Sequence, residues 1–313
     1  MADQRSDDPF AFLERAELHV PRDETGPRPA MSYDELGPET LVDRWCLKTV
    51  LGAGGFGVVY EAMPSEGEGD PVAIKLVAPE PGLEGDPLRR LEQEAKVAIA
   101  IEHPHVVRAF QHGALADGTR YLVMELLDGE TLRDRLAARR GLPRDALAGV
   151  VRGMGEGLGA LHDVGVVHRD VKPANVMLAD PTVGDERIKL IDLGLCKGPM
   201  ALTASQQQIG TVAYMPPEAL RGGLRSASSA TDVYGLALTA YEAATGWPLF
   251  EAPSLAELVA AVLRGPEPSA LERLRAELPA ALVELVGQGM GPVSGRPRNI
   301  AAYGRALAAA AGA

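Results

Sequence analysis

The sequence has little cysteine, no long apolar run and no surplus of positive charge. Its two cysteines, Cys46 and Cys196, lie far apart, which excludes a disulfide framework and favours a reducing compartment. No uninterrupted apolar stretch reaches the roughly 18 residues that a membrane-spanning helix needs. Residues 1–10 are acidic and polar, unlike a signal peptide. These absences predict a cytoplasmic protein without a membrane span.

Acidic residues outnumber basic ones, with 43 Asp and Glu against 31 Lys and Arg, which gives a formal net charge of −12. Such a protein repels polyanions as a whole, so nucleic acid is not expected as a partner. The length of 313 residues, 46% of them hydrophobic, suffices for one two-lobed domain or two small domains. Any phosphate site must be built locally, from backbone amides, a few cations and a metal ion.

The pattern along the chain changes from irregular to strand-rich and then to helical. Residues 1–43 carry scattered Asp, Glu, Pro and Gly and are interpreted as a largely irregular extension. Five strand-like segments and one helical segment at residues 88–101 follow, and the chain after Gly129 is mainly helical. The strand-like segments are Trp45–Leu51, Val58–Ala62, Val72–Val77, Val106–Phe110 and Tyr121–Leu126. This order predicts an α+β fold with two lobes, residues 44–127 and 128–313.

A glycine cluster follows the first strand-like segment. Residues 51–59 read Leu-Gly-Ala-Gly-Gly-Phe-Gly-Val-Val and contain G-x-G-x-x-G, which two nucleotide-binding folds use and which ordinary turns also produce. A dinucleotide-binding fold requires a helix after the loop, whereas here Val58, Val59 and Tyr60 continue as a strand. The cluster therefore indicates a β-hairpin whose glycines let backbone amides approach phosphate oxygens closely.

A lysine ends the apolar strand Val72-Ala73-Ile74-Lys75 that follows the hairpin. An exposed lysine is the simpler interpretation, but at this position the ammonium could reach the α- and β-phosphates of a nucleotide. A carboxylate is then needed to hold the lysine in place. Glu94 on the following helical segment is favoured for that role, and Glu92 on the same segment is its rival.

The most specific pattern is His168-Arg169-Asp170-Val171-Lys172-Pro173-Ala174-Asn175, which agrees with H-R-D-x-K-x-x-N at every defined position. Asp192-Leu193-Gly194 begins seventeen residues after Asn175. An amide oxygen and a carboxylate that converge can bind a metal ion that bridges the phosphates of ATP.

These motifs together resemble the Hanks-type Ser/Thr protein kinases in their bacterial style, and the resemblance covers about residues 45–307. It implies a bilobal kinase fold and a signalling enzyme that phosphorylates Ser and Thr of proteins with ATP and Mg²⁺. Asp170 would be the catalytic base, Lys172 would contact the γ-phosphate, and Lys75 would pair with Glu94. Leu193 stands where the family usually has Phe, which keeps an apolar anchor beside the metal ligand.

The resemblance also implies which residues bind the nucleotide and the metal. Met124 would be the gatekeeper, and the backbone of Glu125 and Leu127 would bond the adenine edge, so that side-chain identity there matters little. Asn175 and Asp192 would bind Mg²⁺. The full set of implied nucleotide-binding residues is Leu51, Gly52, Ala53, Gly54, Gly55, Phe56, Gly57, Val59, Ala73, Lys75, Met124, Glu125, Leu127 and Met177.

Residues 210–218 resemble the family's G-T-x-x-Y-x-A-P-E segment, with Pro216 in place of Ala. The hydroxyl of Thr211 is expected to bond Asp170 and Lys172, and Lys172 together with Thr211 favours the Ser/Thr branch over the Tyr branch. Arg296 resembles the late arginine that pairs with the glutamate of this segment, here Glu218, in a structural role. Residues 232–235 resemble the start of the central helix of the C-lobe.

Arg169, directly before the catalytic aspartate, implies that phosphorylation switches the kinase on. In kinases with this arginine its partner is often a phosphate between the metal-binding motif and the Pro-Glu motif. The candidates here are Thr203, favoured, and Ser205, and autophosphorylation would supply the phosphate.

Two other functions stay open. A pseudokinase would have lost one of its catalytic or binding residues, and none is lost. A small-molecule phosphotransferase would share Asp170 and Asn175 but typically lacks the lysine spacing and the 211–218 segment. Three minor features have structural interpretations. Gly153–Gly159 is interpreted as a glycine-weakened helix, and Cys196 as a packing thiol. His103, His105 and His112 are not expected to form a metal site, because His103-Pro104 resembles a turn.

Overall fold

The computed structural model describes residues 39–54, 57–77, 96, 99–179, 187–192, 210–222, 228–267, 272, 275–276 and 278–312. These residues belong to one compact unit that begins at Gly37. Residues 1–38 of the predicted extension and most of the predicted helix 88–101 lie outside the described residues. Eight individual predictions do so as well: Glu94 and its rival Glu92, Gly55, Phe56, Leu193, Cys196, and the phosphorylation candidates Thr203 and Ser205.

The N-terminal part forms an antiparallel sheet of six strands in the order β1-β2-β3-β4-β6-β5. The strands are β1 (Leu41–Val42), β2 (Trp45–Gly54), β3 (Gly57–Pro64), β4 (Val72–Val77), β5 (Ala109–Ala114) and β6 (Arg120–Glu125). The inner strand β4 is buried from Val72 to Leu76, which explains its continuous apolar run. β1, which lies in the predicted extension, adds a short edge strand through its pairing with Trp45 and Cys46.

One predicted strand has different bounds in the structure. The sequence analysis predicted a strand over Val106–Phe110, but β5 begins at Ala109 and continues to Ala114. The residues before β5 turn towards the other lobe instead. The amide of Val107 donates to the carbonyl of Leu190 at 2.9 Å, and the amide of Leu190 donates to His105 O at 2.9 Å. This stretch therefore links the two lobes.

The C-terminal part contains a small sheet that the prediction of a mainly helical lobe did not include. Its strands are β7 (Gly129–Thr131), β8 (Val176–Ala179) and β9 (Arg187–Leu190), paired antiparallel in that order. Gly129 in β7 has a φ of 141°, and a Cβ added there would lie 2.1 Å from Leu178 O. Only glycine fits this close pairing of β7 with β8.

Helices make up the rest of the described C-terminal part. They are α1 (Leu132–Arg139), α2 (Arg144–Asp163), α3 (Pro217–Gly222), α4 (Ser229–Thr245), α5 (Leu255–Arg264), α6 (Ala280–Met290) and α7 (Ile300–Ala311), with short 3₁₀ turns at Pro173–Asn175 and Val293–Gly295. The central helix α4 is buried at nearly every position, and α2, α6 and α7 pack around it. None of these described helices is long and apolar enough to cross a membrane.

The alternating glycines of Gly153–Gly159 lie within α2, as predicted. A Cβ added to Gly155 would lie 2.7 Å from the Cα of Gly304 in α7, so the backbones of the two helices touch. A Cβ on Gly157 would lie 2.7 Å from His105 O. The glycines thus permit close packing of α2, which compensates for their low helix propensity.

Candidate active site

The segment that joins α2 to the turn Pro173–Asn175 is held by one buried carboxylate. Asp232 of α4 is 0% exposed. Its Oδ2 accepts the amide of His168 at 2.9 Å, and its Oδ1 accepts the amide of Arg169 at 2.8 Å. Arg169 has a φ of 65°, a left-handed conformation that costs a non-glycine residue about 1–2 kcal/mol. Two charge-assisted bonds to successive amides therefore offset this cost and fix the loop.

The same carboxylate also contacts a side chain. Nε2 of His162, in the last turn of α2, lies 2.7 Å from Oδ2 of Asp232. The sequence analysis placed Asp232 at the start of the central helix but did not assign it this role. The available signal was a carboxylate in the first turn of a largely small and apolar helix, since a buried carboxylate needs hydrogen-bond partners.

Asp170, Lys172 and Asn175 converge within this loop. The Nζ of Lys172 lies 3.0 Å from Oδ2 of Asp170. The Nδ2 of Asn175 donates to the same Oδ2 at 2.8 Å and to the backbone oxygen of Asp170 at 2.7 Å. Asp170 and Asn175 are each 5% exposed, so the carboxylate is held by short contacts in a largely water-excluded site.

Thr211 reaches this cluster from the segment before α3. The Nζ of Lys172 donates to Thr211 Oγ1 at 2.7 Å, and Thr211 is 2% exposed. This is the contact with Lys172 that was expected from the sequence. It connects the loop that carries Asp170 to residues 210–218.

Tyr214 in this segment donates its hydroxyl proton to Glu242 of α4. Burial, the negative charge of Glu242 and the hydrogen bond between them raise the pKa of Tyr214 well above its ordinary value. Burial also raises the pKa of Glu242, against the lowering effects of the Tyr214 hydrogen bond and of Arg133. The pair anchors the segment to the central helix.

Lys75 and Asp192 form an ion pair between the lobes. Lys75 is on β4 and is 8% exposed, and its Nζ contacts Oδ1 of Asp192 just beyond β9. The predicted partner Glu94 lies outside the described residues. The amide of Ile191 donates to the backbone oxygen of Asn175 at 3.0 Å, which brings Asp192 next to the turn that carries Asn175.

Asn175 and Asp192 fit as two ligands of a magnesium ion whose coordination a nucleotide would complete. The Nδ2 of Asn175 is directed at Asp170, so its Oδ1 is the oxygen that could serve as a ligand together with the carboxylate of Asp192. No group of three or more His, Cys, Asp or Glu that could hold a metal occurs within the described ranges. Mg²⁺ suits such an incomplete set because it commonly takes one or two protein oxygens together with phosphate oxygens and waters.

Strand register brings the predicted nucleotide-binding residues together. Gly52 pairs with Val59 and Ala53 with Val58 across the β2–β3 hairpin, and Val59 lies opposite Lys75. Further along β4, Ala73 lies opposite the predicted gatekeeper Met124. Leu51 and Gly52 are exposed on β2, Leu127 follows β6, and Met177 lies on β8. Of the glycine loop, Gly55 and Phe56 lie outside the described residues.

Gly57 has a packing role of its own. Its φ is 127°, and an added Cβ would lie 2.0 Å from the carbonyl oxygen of Leu76. A Cβ on Gly52, by contrast, would meet no atom within 4 Å. Gly57 is therefore required by the contact with β4, whereas Gly52 leaves open space above the hairpin.

The side chain of Glu125 has contacts that the sequence analysis missed. Its Oε1 accepts the amide of Arg108 at 2.8 Å and the Nζ of Lys189 at 2.5 Å. The amide of Glu125 itself donates to Arg108 O at 2.9 Å. Side-chain identity at Glu125 therefore matters, because this carboxylate joins the end of β6 to β9 in the other lobe.

The comparisons with known proteins agree with this geometry. The family model described as protein kinase domain matches residues 45–277. The chain is similar to the serine/threonine-protein kinase PknF of Mycobacterium tuberculosis, with 34% identity over 232 residues, 72% of this chain and 47% of that protein. It is also similar to PknL of the same organism, with 32% identity over 82% of this chain and 60% of PknL. The chain thus spans about half the length of the curated relatives it matches.

Solved structures show the same fold. The crystal structure of the Mycobacterium tuberculosis PknI kinase domain superposes with a TM-score of 0.68 at 26% identity. The match covers 87% of this chain and 98% of that one. The six-stranded sheet and the helical part described above are therefore the two lobes of that fold.

Proposed function

This chain belongs to the protein kinase family, and on that premise we propose that it transfers the γ-phosphate of ATP to serine and threonine hydroxyls of proteins. The observation that carries the proposal is the cluster in which Asp170 Oδ2 lies 3.0 Å from Lys172 Nζ and 2.8 Å from Asn175 Nδ2. Such a buried, oriented carboxylate beside an ammonium can receive a hydroxyl proton while the positive charge stabilises the transferred phosphoryl group.

Each proposed catalytic residue has its own role in the phosphotransfer reaction. The substrate oxygen forms a bond to the γ-phosphorus while the bond from that phosphorus to the β–γ bridging oxygen breaks, and ADP leaves with the electron pair. Asp170 orients the hydroxyl and takes its proton. Lys172 contacts the γ-phosphate, and Lys75 holds the α- and β-phosphates, with Glu94 as its proposed partner.

Asn175 and Asp192 would hold Mg²⁺, which supplies charge neutralisation between the phosphates when it is bound. The proposed adenine site lies between the lobes. Val59, Ala73 and Met177 would sandwich the ring, and the backbone of Glu125 and Leu127 would bond its edge. The strand register supports this arrangement because it places Val59 and Ala73 on neighbouring strands.

Specificity for Ser and Thr is supported by the hydrogen bond from Lys172 to Thr211. The proposal includes autophosphorylation at Thr203 or Ser205 as an activating step with Arg169 as the phosphate partner. It also includes a signalling role in the cytoplasm, which the two widely separated cysteines support. A pseudokinase or a small-molecule phosphotransferase is not favoured by any specific observation.

The test is phosphotransfer from radiolabelled ATP to a generic Ser/Thr protein substrate. We expect Asp170→Asn to fold and bind ATP but to lose a factor of about 10²–10⁴ in rate. Asp163→Asn, at an exposed position near the end of α2, is the matched control and should behave as the unchanged protein. Turnover in Asp170→Asn that equals the control would overturn the proposal.

A further inference from the structure

A cavity of about 460 Å³ lies at the junction of α1, α2 and the end of α4, away from the proposed active site. Three arginines line it: Arg135, Arg139 and Arg140. None of the residues that line the cavity belongs to the implied nucleotide-binding set. A ligand in this cavity would therefore not occupy the nucleotide site.

The cavity lies in the most basic stretch of an acidic protein. Between residues 133 and 144 there are five arginines and one acid, whereas the whole chain has a net charge of −12. The dipole of α1 favours one cation in its last turn, which Arg139 supplies. Arg140 and Arg144 lie beyond that helix. Arg139 and Arg144 form no ion pair with any residue in the part of the chain that the structure describes. Of these two arginines Arg139 lines the cavity, so its guanidinium is available to a ligand there.

Two of the three arginines, Arg135 and Arg140, are held in place before any ligand binds. Arg135 is 9% exposed, and its Nε contacts Glu130. The guanidinium carbon of Arg140 lies 4.5 Å from the ring centroid of Trp247, a cation–π contact. Arg140 also adopts a left-handed φ of 45°. Its orientation is thus determined by the fold, and a ligand that binds here loses less entropy in ordering the site.

The loop that closes the cavity is seated firmly on α4. The amide of Leu142 donates to Ala243 O at 2.7 Å. A Cβ added to Gly246 would lie 2.7 Å from the amide nitrogen of Gly141, so the two backbones are in contact. The loop therefore forms a fixed wall of the cavity, next to Arg140.

The rest of the lining is apolar and comes from Leu142, Pro143, Ala146 and Ala244. Guanidinium groups match the oxygens of a phosphate, and a phosphate monoester carries about −1.5 to −2 charge, which more than one arginine can neutralise. The cavity has about fifteen times the roughly 30 Å³ that one water molecule takes, so it is far larger than a lone phosphate needs. The apolar wall suits a hydrophobic side chain next to the phosphate.

We propose that this cavity, which we call the α1–α2 pocket, docks a phosphorylated serine or threonine that is followed by an apolar residue in a protein segment. The concave shape and the mixed arginine and apolar lining suit a protein segment of this kind better than they suit a flat lipid surface. The proposal rests on the proposed function in one respect, because the kinase reaction is the source of the phosphorylated residue. The pocket would bring phosphorylated proteins, substrate or another copy of this chain, back to the enzyme.

The test is fluorescence polarisation with the whole chain, without nucleotide, and four probes. The probes are a labelled peptide with phosphothreonine followed by leucine, its unphosphorylated twin, inorganic phosphate as competitor, and vesicles with or without phosphatidylglycerol. We expect the phosphopeptide to bind at least about tenfold more tightly than its twin, since each lost charge-assisted bond weakens binding by about that factor. The double variant Arg139→Gln, Arg140→Gln should abolish the difference.

Arg152→Gln, which removes an exposed arginine of α2 outside the pocket, is the matched control and should bind as the unchanged chain does. If the double variant fails to fold, Arg139→Gln alone replaces it, because the exposed side chain of Arg139 forms no ion pair with any described residue. Equal binding of both peptides would overturn the proposal. So would displacement by inorganic phosphate at the same concentration as by phosphopeptide, or binding to anionic vesicles in place of peptide.

The two proposals can fail separately. Phosphotransfer to an unphosphorylated substrate should be unchanged in the arginine variants, because none of these residues belongs to the proposed catalytic cluster. Phosphotransfer without phosphopeptide binding would overturn the pocket alone. Phosphopeptide binding without phosphotransfer would overturn the proposed function alone.

Discussion

Arg296 and Glu218 are 78 residues apart in sequence, and their side chains form a two-pronged ion pair with contacts of 2.5 and 3.1 Å. The side chain of Arg296 is 2% exposed, and it also donates to Ala230 O and Gly291 O. This pair, which the sequence analysis predicted, joins the start of α3 to the turn before α7 and to α4. It therefore fixes the segment that carries Thr211.

Removal of Glu218 should destabilise the fold. Glu218→Ala would leave a buried guanidinium without its carboxylate, and we expect a loss of about 3 kcal/mol in the free energy of unfolding. The matched control is Glu267→Ala, whose partner Arg264 lies 4.0 Å away with both side chains largely exposed. That variant should change stability by less than about 1 kcal/mol. Urea unfolding measures both, and equal effects would contradict a structural role for the buried pair.

Asp232→Ala should affect both stability and turnover. It leaves the buried amides of His168 and Arg169 without their acceptor, at about 1–3 kcal/mol each. Because the loop carries Asp170, kcat should fall more than the KM for ATP changes. The exposed Asp163→Ala is the control for loss of an aspartate nearby. A variant with normal stability and normal kcat would show that the loop holds its conformation without this carboxylate.

Lys75→Met should reduce kcat/KM by about a hundredfold or more, because it removes a buried cation from the phosphate site. The change leaves Asp192 without its ion-pair partner but keeps the length of the side chain. Lys48→Met is the control, because Lys48 lies in the same sheet but pairs with the exposed Glu39. Steady-state kinetics with varied ATP give the comparison. A ratio near one between the two variants would argue against the proposed role of Lys75.

ATP with Mg²⁺ should raise the melting temperature more than ATP with a chelator. A ligand that binds only the folded state stabilises it by mass action, and without the metal Asp192 would face the phosphates directly. Asn175→Ala should reduce the effect of Mg²⁺, since it removes one proposed ligand. Thermal scans with and without chelator test this. Equal shifts in the two conditions would count against the metal site.

The stability effect of Glu242→Gln should depend on pH. Burial raises the pKa of Glu242 in the folded state above its unfolded value. Protonation of Glu242 is therefore favoured by folding, and its contribution to stability is present below the unfolded pKa and is lost as pH rises through the folded pKa. Glutamine mimics the neutral acid, so the variant should gain stability relative to the unchanged chain as pH rises from below 4.5 to neutral.

Melting temperatures of the two proteins across that range give the difference. Tyr214, which donates to Glu242, should keep its hydrogen bond to the glutamine oxygen, so the comparison isolates the charge. A difference between variant and unchanged chain that stays constant with pH would show that Glu242 keeps an ordinary pKa.

Local sequence was sufficient to predict features that depend on residues close together along the chain. The strand Val72–Val77 has the predicted bounds, because an inner strand must be apolar at successive positions. Asp170, Lys172 and Asn175 stand in one short motif, and the resemblance of that motif to a family implied their roles. The pair of Arg296 with Glu218 was predicted through family resemblance, since nothing in local sequence links residues so far apart.

Other contacts were decided by tertiary structure alone. Asp232 binds the amides of His168 and Arg169 only because α4 passes beneath the loop, and no periodicity of the sequence encodes that crossing. The strand predicted from Val106 was displaced to Ala109 because the amide of Val107 finds its acceptor in Leu190, more than eighty residues later. Hydrogen-bond partners of this kind depend on how the lobes pack.

Local sequence and long-range packing account for different features of this molecule. The sequence by itself determined the fold class, through its strand pattern and motifs, and it implied the proposed catalytic residues through the resemblance of those motifs to a family. The α1–α2 pocket exists only because the loop at Gly141 touches Gly246 and turns a run of arginines into the lining of a cavity. A run of arginines at a helix end is common in sequences. It lines a cavity only where backbone segments that are distant in sequence come into contact.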